Sequence, residues 1–294
     1  ISPVWRARYQ RFPMLQKLAR TLQYWMFESV APVMIKNNWM TRIAEKLGHR
    51  YIRRMIKDPV LREKITPNYA LGCKRVLLSD DYYPAIIKPN VDVVTEGIAA
   101  IDERGIVLRD GSRVELDAIV LATGFKVPVA SAPFRIEGLG GRVLGNEWSG
   151  GAEAYLGLSI SGYPNLLYIM GPNTGPGNIS VIFYIESQLK YILGYLKHLR
   201  GHKLSTLDLK ASVQREFNVE IQKKMQQTTW TSGCESWYLT PDGKNTTLWP
   251  GYSWQYRRQT RFFDVSVYNT KPQRAGDQYA PAESSSDAAQ LVSS

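Results

Sequence analysis

Asp117-Ala118-Ile119-Val120-Leu121-Ala122-Thr123-Gly124 is a continuous apolar run that closes on threonine and glycine. An apolar stretch without alternation is what a strand buried on both faces of a parallel sheet requires, so this segment points to an α/β fold. Shorter branched runs surround it: Arg75–Ser79, Val91–Thr95, Ile106–Arg109 and Val114–Glu115 are read as strands. Asp110-Gly111, between the last two, supplies the left-handed backbone of a tight hairpin turn.

Downstream, Asn165–Met170 is a second apolar run read as a strand, and it ends in Gly171-Pro-Asn-Thr-Gly-Pro-Gly-Asn178. A long helix follows from Ile179 to about Leu199. Strand, glycine loop and helix in that order direct free helix amides out of the sheet edge, where they favour a phosphate or the negative charge of a reduced flavin ring. A plain glycine-rich connection is the competing reading. Val213, Phe217, Ile221 and Met225 mark a further helix at four-residue spacing. The aromatic stretch Trp230–Phe263 reads as a lid or chamber wall.

Upstream, Trp5, Tyr9, Phe12, Leu15, Leu18, Ala19, Leu22, Trp25 and Met26 recur at helical spacing, with arginines and lysines between them. Residues 1–65 are therefore read as mainly helical, with the stripe packed as core. Fourteen lysines and arginines face four acids there, a difference of +10, so this region holds nearly all of the net charge of +11. A solvated basic face is the simplest account. A basic helix carrying Trp also suits an anionic membrane, and a basic segment suits a phosphorylated cofactor. Nucleic acid is disfavoured, because neither a zinc pattern nor an RNA motif accompanies the charge.

The 294 residues are 44% hydrophobic and 11% aromatic, enough for a sizeable core. From about Lys271 the composition shifts to Gly, Pro, Ala, Ser and Asp, read as a disordered tail. Cys73 and Cys234 are far apart and read as isolated thiols, in weak accord with a reducing, cytoplasmic setting. With only His49, His198 and His202 beside them, no metal site is expected. The chain begins Ile-Ser-Pro with neither methionine nor a signal-peptide plan, and is read as a fragment or a processed form. Lys74-Arg75 opens a strand, so the two cations point apart: one suits a phosphate, the other offers a planar fork to a second target. No GxGxxG occurs, so the usual cradle for a dinucleotide pyrophosphate is absent.

Taken in order, Pro67-Asn-Tyr-Ala-Leu-Gly-Cys-Lys-Arg75, Asp80-Asp-Tyr-Tyr83, Pro89-Asn-Val91, Asp117 to Phe125, Gly162-Tyr-Pro-Asn165, Gly171-Pro-Asn-Thr174 and Ser236-Trp-Tyr238 resemble the class B flavoprotein monooxygenases, in particular their Baeyer–Villiger branch. The resemblance covers roughly residues 1–265 and falls on the C-terminal portion of that family. It implies parts of two Rossmann-like FAD/NAD(P)-binding domains with a helical insertion, the N-terminal glycine-loop halves missing. Residues 1–66 would be the insertion, 67–116 the end of the NADP domain with its return strands, 117–265 the C-terminal part of the FAD domain with a cap, and 266–294 a disordered tail.

The resemblance further implies FAD and NADP as cofactors, and a small organic substrate and O2 as partners. One oxygen atom would be inserted through a C4a-peroxide of the flavin. Lys74 would contact the 2′-phosphate of NADP, and Arg75 would lie over the flavin as the catalytic cation. Thr123 and Gly124 would approach FAD by backbone; Asn173, Thr174, Asn178 and Ile179 would line the flavin; Trp237 would stand in the chamber wall. The alternative is a truncated, non-catalytic piece of such an enzyme, lacking the phosphate loops.

Overall fold

A computed structural model describes residues 1–36, 38–124 and 134–273. Four helices come first, α1 (Pro3–Arg11), α2 (Pro13–Ile35), α3 (Trp39–Met55) and α4 (Pro59–Ile65). Their starts are written locally. The Asn38 side chain accepts from the Met40 and Thr41 amides, and the Asp58 carboxylate accepts from those of Val60 and Leu61, with Pro59 at the first helical position. The short α5 (Tyr82–Ile86) leads to an antiparallel sheet of β1 (Ile98–Asp102), β2 (Gly105–Leu108) and β3 (Arg113–Glu115), ordered β1-β2-β3. Asp110-Gly111 does turn β2 into β3, but only Gly111 takes a positive φ, +86°. Asp110 instead accepts hydrogen bonds from the amide and hydroxyl of Ser112.

After the single turn α6 (Leu144–Glu147) come α7 (Val181–Gly201), β4 (Leu204–Leu209), α8 (Ala211–Met225), α9 (Ser253–Gln259) and β5 (Tyr268–Pro272), which pairs antiparallel with β4. Two aromatic-rich clusters pack on α7. Ile35 of α2, Phe183, Tyr184, Met225, Trp230 and Trp249 share the first, Tyr191, Tyr195, Leu207 and Tyr268 the second.

A buried charge joins the ends of the chain. Glu28 of α2 is 3% exposed, and its carboxylate accepts from the amide and the hydroxyl of Ser253, both at 2.8 Å. Ser253 opens α9, so the carboxylate satisfies an amide that the helix itself leaves unpaired. Tyr24 and Ser253 share a further hydrogen bond of 3.1 Å.

Several sequence expectations change. The aromatic stripe of residues 1–65 is helical but is not core: Leu18, Leu22, Trp25 and Met26 are each more than half exposed. The helix buries its opposite face instead, with Tyr24, Glu28, Ala31 and Ile35 turned toward α7 and α9. The segments 75–79, 91–95 and 117–122 form no strand, because no neighbouring strand among the described residues offers them a ladder. Leu78 and Val120 are 96% and 89% exposed.

Asn165–Met170 makes one isolated bridge, Leu167 to Ser159, and Asn165 and Met170 at its ends have positive φ. Trp230–Phe263 is no lid, since Trp230, Tyr238, Trp249 and Tyr256 are at most 4% exposed. Residues 268–272, inside the 266–294 span given to the tail, form β5: Tyr268 is buried, and its hydroxyl meets those of Ser159 and Tyr191. Residues 274–294, and Phe125 of the apolar motif, lie outside the described residues. Cys73 and Cys234 are not isolated thiols but a disulfide, because the turn at 70–73 packs on the segment after α8. No helix among the described residues is long and apolar enough to cross a membrane.

Burial raises the Tyr268 hydroxyl to about 12, and pushes those of Tyr191 and Tyr256 higher still. An unfolded tyrosine ionises near pH ~10. These groups therefore contribute stability that is whole below pH ~10 and is lost as the pH climbs from there through 12, roughly 3 kcal/mol for Tyr268 alone. Alkaline titration should show phenolate absorbance rising together with loss of helical circular dichroism. Replacing the buried carboxylate, Glu28→Ala, strands the Ser253 amide and should lower unfolding free energy by about 2–3 kcal/mol in urea titrations.

Candidate functional site

The 171–178 loop is fastened to residues 245–249. The Asn173 and Gly175 amides donate to the Thr246 and Thr247 carbonyls at 2.8 Å, and the Trp249 amide donates back to Gly175 at 3.0 Å. The Asn173 side chain donates to the Asn245 and Leu248 carbonyls, while the Thr174 hydroxyl donates to Gly171. Both residues are at most 2% exposed, so their side-chain donors are spent inside the loop and any ligand contact there falls to backbone. The glycine at 177 also has a packing reason, for a Cβ would stand 2.9 Å from the Trp230 ring.

The outward end of this loop is different. Ser180 caps α7 by accepting from the Ile182 amide. Asn178 donates its side-chain amide to the Phe27 carbonyl of α2 at 3.1 Å, and Ile179 packs on the first core cluster. A cavity of about 590 Å³ opens here between α2 and the start of α7, lined by Tyr24, Phe27, Asn178, Ile179 and Phe183. That volume is ordinary for a small-molecule site.

Lys74 and Arg75 open no strand, and they have different neighbours. The Lys74 ammonium lies 4.8 Å over the Tyr69 ring, whereas Arg75 is near enough to the Tyr238 hydroxyl for its charge to act on it. Burial raises the pKa of Tyr238, and the guanidinium's charge opposes that rise. Tyr238 is 3% exposed and belongs to the cluster on which Ile179 packs, while Arg75 itself is exposed. Trp237 is 42% exposed beside Tyr238, ring centroids 4.4 Å apart. Thr123 and Gly124 are exposed, and nothing crowds Gly124 at φ +80°. No described contact brings these two to the cavity.

Sequence reasoning missed the groups that hold the site together. Nothing in Ser236-Trp-Tyr238 marks Tyr238 as a neighbour of Arg75, whose charge acts on its hydroxyl. Glu28 and Ser253 carry no motif. The cysteines did carry a signal, since one directly precedes Lys74 and the other stands three residues before Trp237. Among the described residues no group of His, Cys, Asp and Glu could hold a metal ion.

No family model matches the chain. It is 43% identical over 271 residues to a Baeyer–Villiger monooxygenase of Pseudomonas aeruginosa, a match that covers 92% of the chain and 51% of that protein. A Baeyer–Villiger monooxygenase of Streptomyces coelicolor is 41% identical over 293 residues, covering 98% of the chain and 56% of the relative. The fold is similar to that of a steroid monooxygenase solved with NADP, with TM-score 0.70 and 26% identity over 82% of the chain and 47% of the other. The chain thus spans about half the length of the curated relatives that it matches. Sequence and fold match the C-terminal part of class B flavoprotein monooxygenases.

Proposed function

We propose that this chain supplies the flavin-ring side of the reaction chamber in an FAD- and NADPH-dependent monooxygenase that inserts one atom of O2 into a small organic substrate. The observation that carries this reading is the capped start of α7, where Asn178, Ile179 and Phe183 face Tyr24 and Phe27 of α2 across a cavity of small-molecule size. The residues fit the ring of a flavin: helix amides at the start of α7 suit a ring that gains negative charge on reduction, and Tyr24 and Phe183 offer it an aromatic wall. They do not fit its pyrophosphate, since no glycine fingerprint is present. When bound, FAD reduced by NADPH would supply the electrons that cleave O2.

In this reading Lys74 takes the 2′-phosphate of NADP as a point charge, and Arg75 holds charge over the ring. Asn178 and Ile179 border the ring at the cavity, while Asn173 and Thr174 shape the loop from inside. Trp237 closes the chamber beside Tyr238. Thr123 and Gly124 approach FAD only when the 117–124 segment is drawn into a sheet. Residues 1–66 act as the helical insertion, 67–116 as the end of the NADP domain and 117–265 as part of the FAD domain. One observation favours a second reading, a non-catalytic piece: Leu77, Leu78, Val120 and Leu121 are more than 70% exposed where a sheet would cover them.

Two measurements decide between these readings. The purified chain mixed with FAD, alone and together with a polypeptide that carries the two glycine loops, should turn yellow only in the second case; absence of bound flavin in both favours the non-catalytic piece. In the flavin-loaded protein, Arg75→Ala should leave reduction by NADPH intact but divert oxygen to hydrogen peroxide, whereas Lys74→Ala should raise KM for NADPH about tenfold with little change for NADH. Undiminished product per NADPH in Arg75→Ala would overturn the role given to the guanidinium.

A further inference from the structure

Cys73 and Cys234 are 161 residues apart in sequence, yet their sulfurs are bonded and their Cα atoms are 6.3 Å apart. The bond joins two irregular segments, not two framework elements. One contains Lys74 and Arg75, the other Trp237 and Tyr238. Each cysteine follows a glycine with left-handed backbone, Gly72 at φ +88° and Gly233 at φ +95°, a conformation that lets each loop turn sharply at the cross-link.

The two sulfurs differ in access. Cys73 is 0% exposed, with Ser232 Oγ at 3.5 Å from its sulfur, while Cys234 keeps part of its surface in solvent. A thiol pair with one reachable and one sheltered member is the arrangement in which an oxidant attacks the first and the second resolves the product.

We propose that Cys73 and Cys234 form a reversible latch, closed by hydrogen peroxide and opened by a dithiol, that clamps the Lys74–Arg75 segment to the Trp237–Tyr238 segment. In the first step the Cys234 thiolate attacks the peroxide: an S–O bond forms, the O–O bond breaks and hydroxide leaves. In the second, the Cys73 thiolate attacks that sulfenic sulfur, forming the S–S bond and releasing a second hydroxide. Two thiols lose two electrons, the peroxide gains them, and two waters result after proton uptake. Opening reverses the sulfur chemistry, as a dithiol attacks the accessible Cys234 sulfur and frees buried Cys73. Only the relevance of the clamp to cofactor binding rests on the oxygenase reading; the thiol chemistry does not.

The test needs no flavin. Dithiothreitol should release two thiols while helical circular dichroism is unchanged. Stoichiometric hydrogen peroxide should then restore the bond, with the mass falling by two hydrogens. In Cys73→Ser the reaction should stop at Cys234, giving a dimedone adduct; in Cys234→Ser, oxidation of Cys73 should be about tenfold slower or more. Trp237 emission should differ between the closed and open forms.

A bond that opens only on unfolding, a Cys73→Ser variant without the dimedone adduct, or Cys73 oxidised equally fast in Cys234→Ser would each overturn the proposal. Identical Trp237 emission in both forms would overturn the clamp. Failure of the oxygenase reading would show separately, as an absence of bound FAD with this thiol chemistry intact.

Discussion

The carboxylate of Glu28 governs where the first helices can sit. A charge held at 3% exposure is tolerated only if hydrogen bonds replace its water, and Ser253 supplies both of them. That requirement fixes α2 against α9 across 225 residues of sequence. Once α2 is placed, its last turn receives the Thr229 hydroxyl on the Met34 carbonyl, and Gly72 approaches so closely that a Cβ would lie 2.7 Å from the same oxygen. The segment that carries Lys74 and Arg75 is thus set by a contact made on α2.

The neighbourhood of Arg75 follows from the same arrangement. The Arg75 guanidinium reaches Tyr238, whose ring is part of a cluster with Trp230, Trp249 and Tyr256. Aromatic faces pack tightly around Tyr256, with ring centroids 4.7 Å from Tyr184 and 5.1 Å from Trp249. The Asn178 side chain completes the join by tying the start of α7 to the Phe27 carbonyl.

What the sequence revealed was what is decided locally. The spacing of apolar residues located the helices, because helix bonds close within four residues. Asp110-Gly111 located its turn for the same reason. Strands were another matter, since 117–122 has every local property of a buried strand and no ladder among the described residues. Which face of α2 packs was also illegible: both faces are apolar, and only the position of Ser253 selects the one bearing Glu28. Lys74 and Arg75 could be singled out from their chemistry, but Tyr238 could not, because nothing in Ser236-Trp-Tyr238 tells the partner of a cation from a packing residue.

The bare segments 76–78 and 119–121 have a consequence for handling the protein. Each offers branched apolar side chains and a main chain outside any ladder among the described residues, the combination that recruits strands from neighbouring molecules. Concentrated solutions of the chain alone should self-associate along these edges, and the polypeptide that relieves this would be one that lays a sheet beside them.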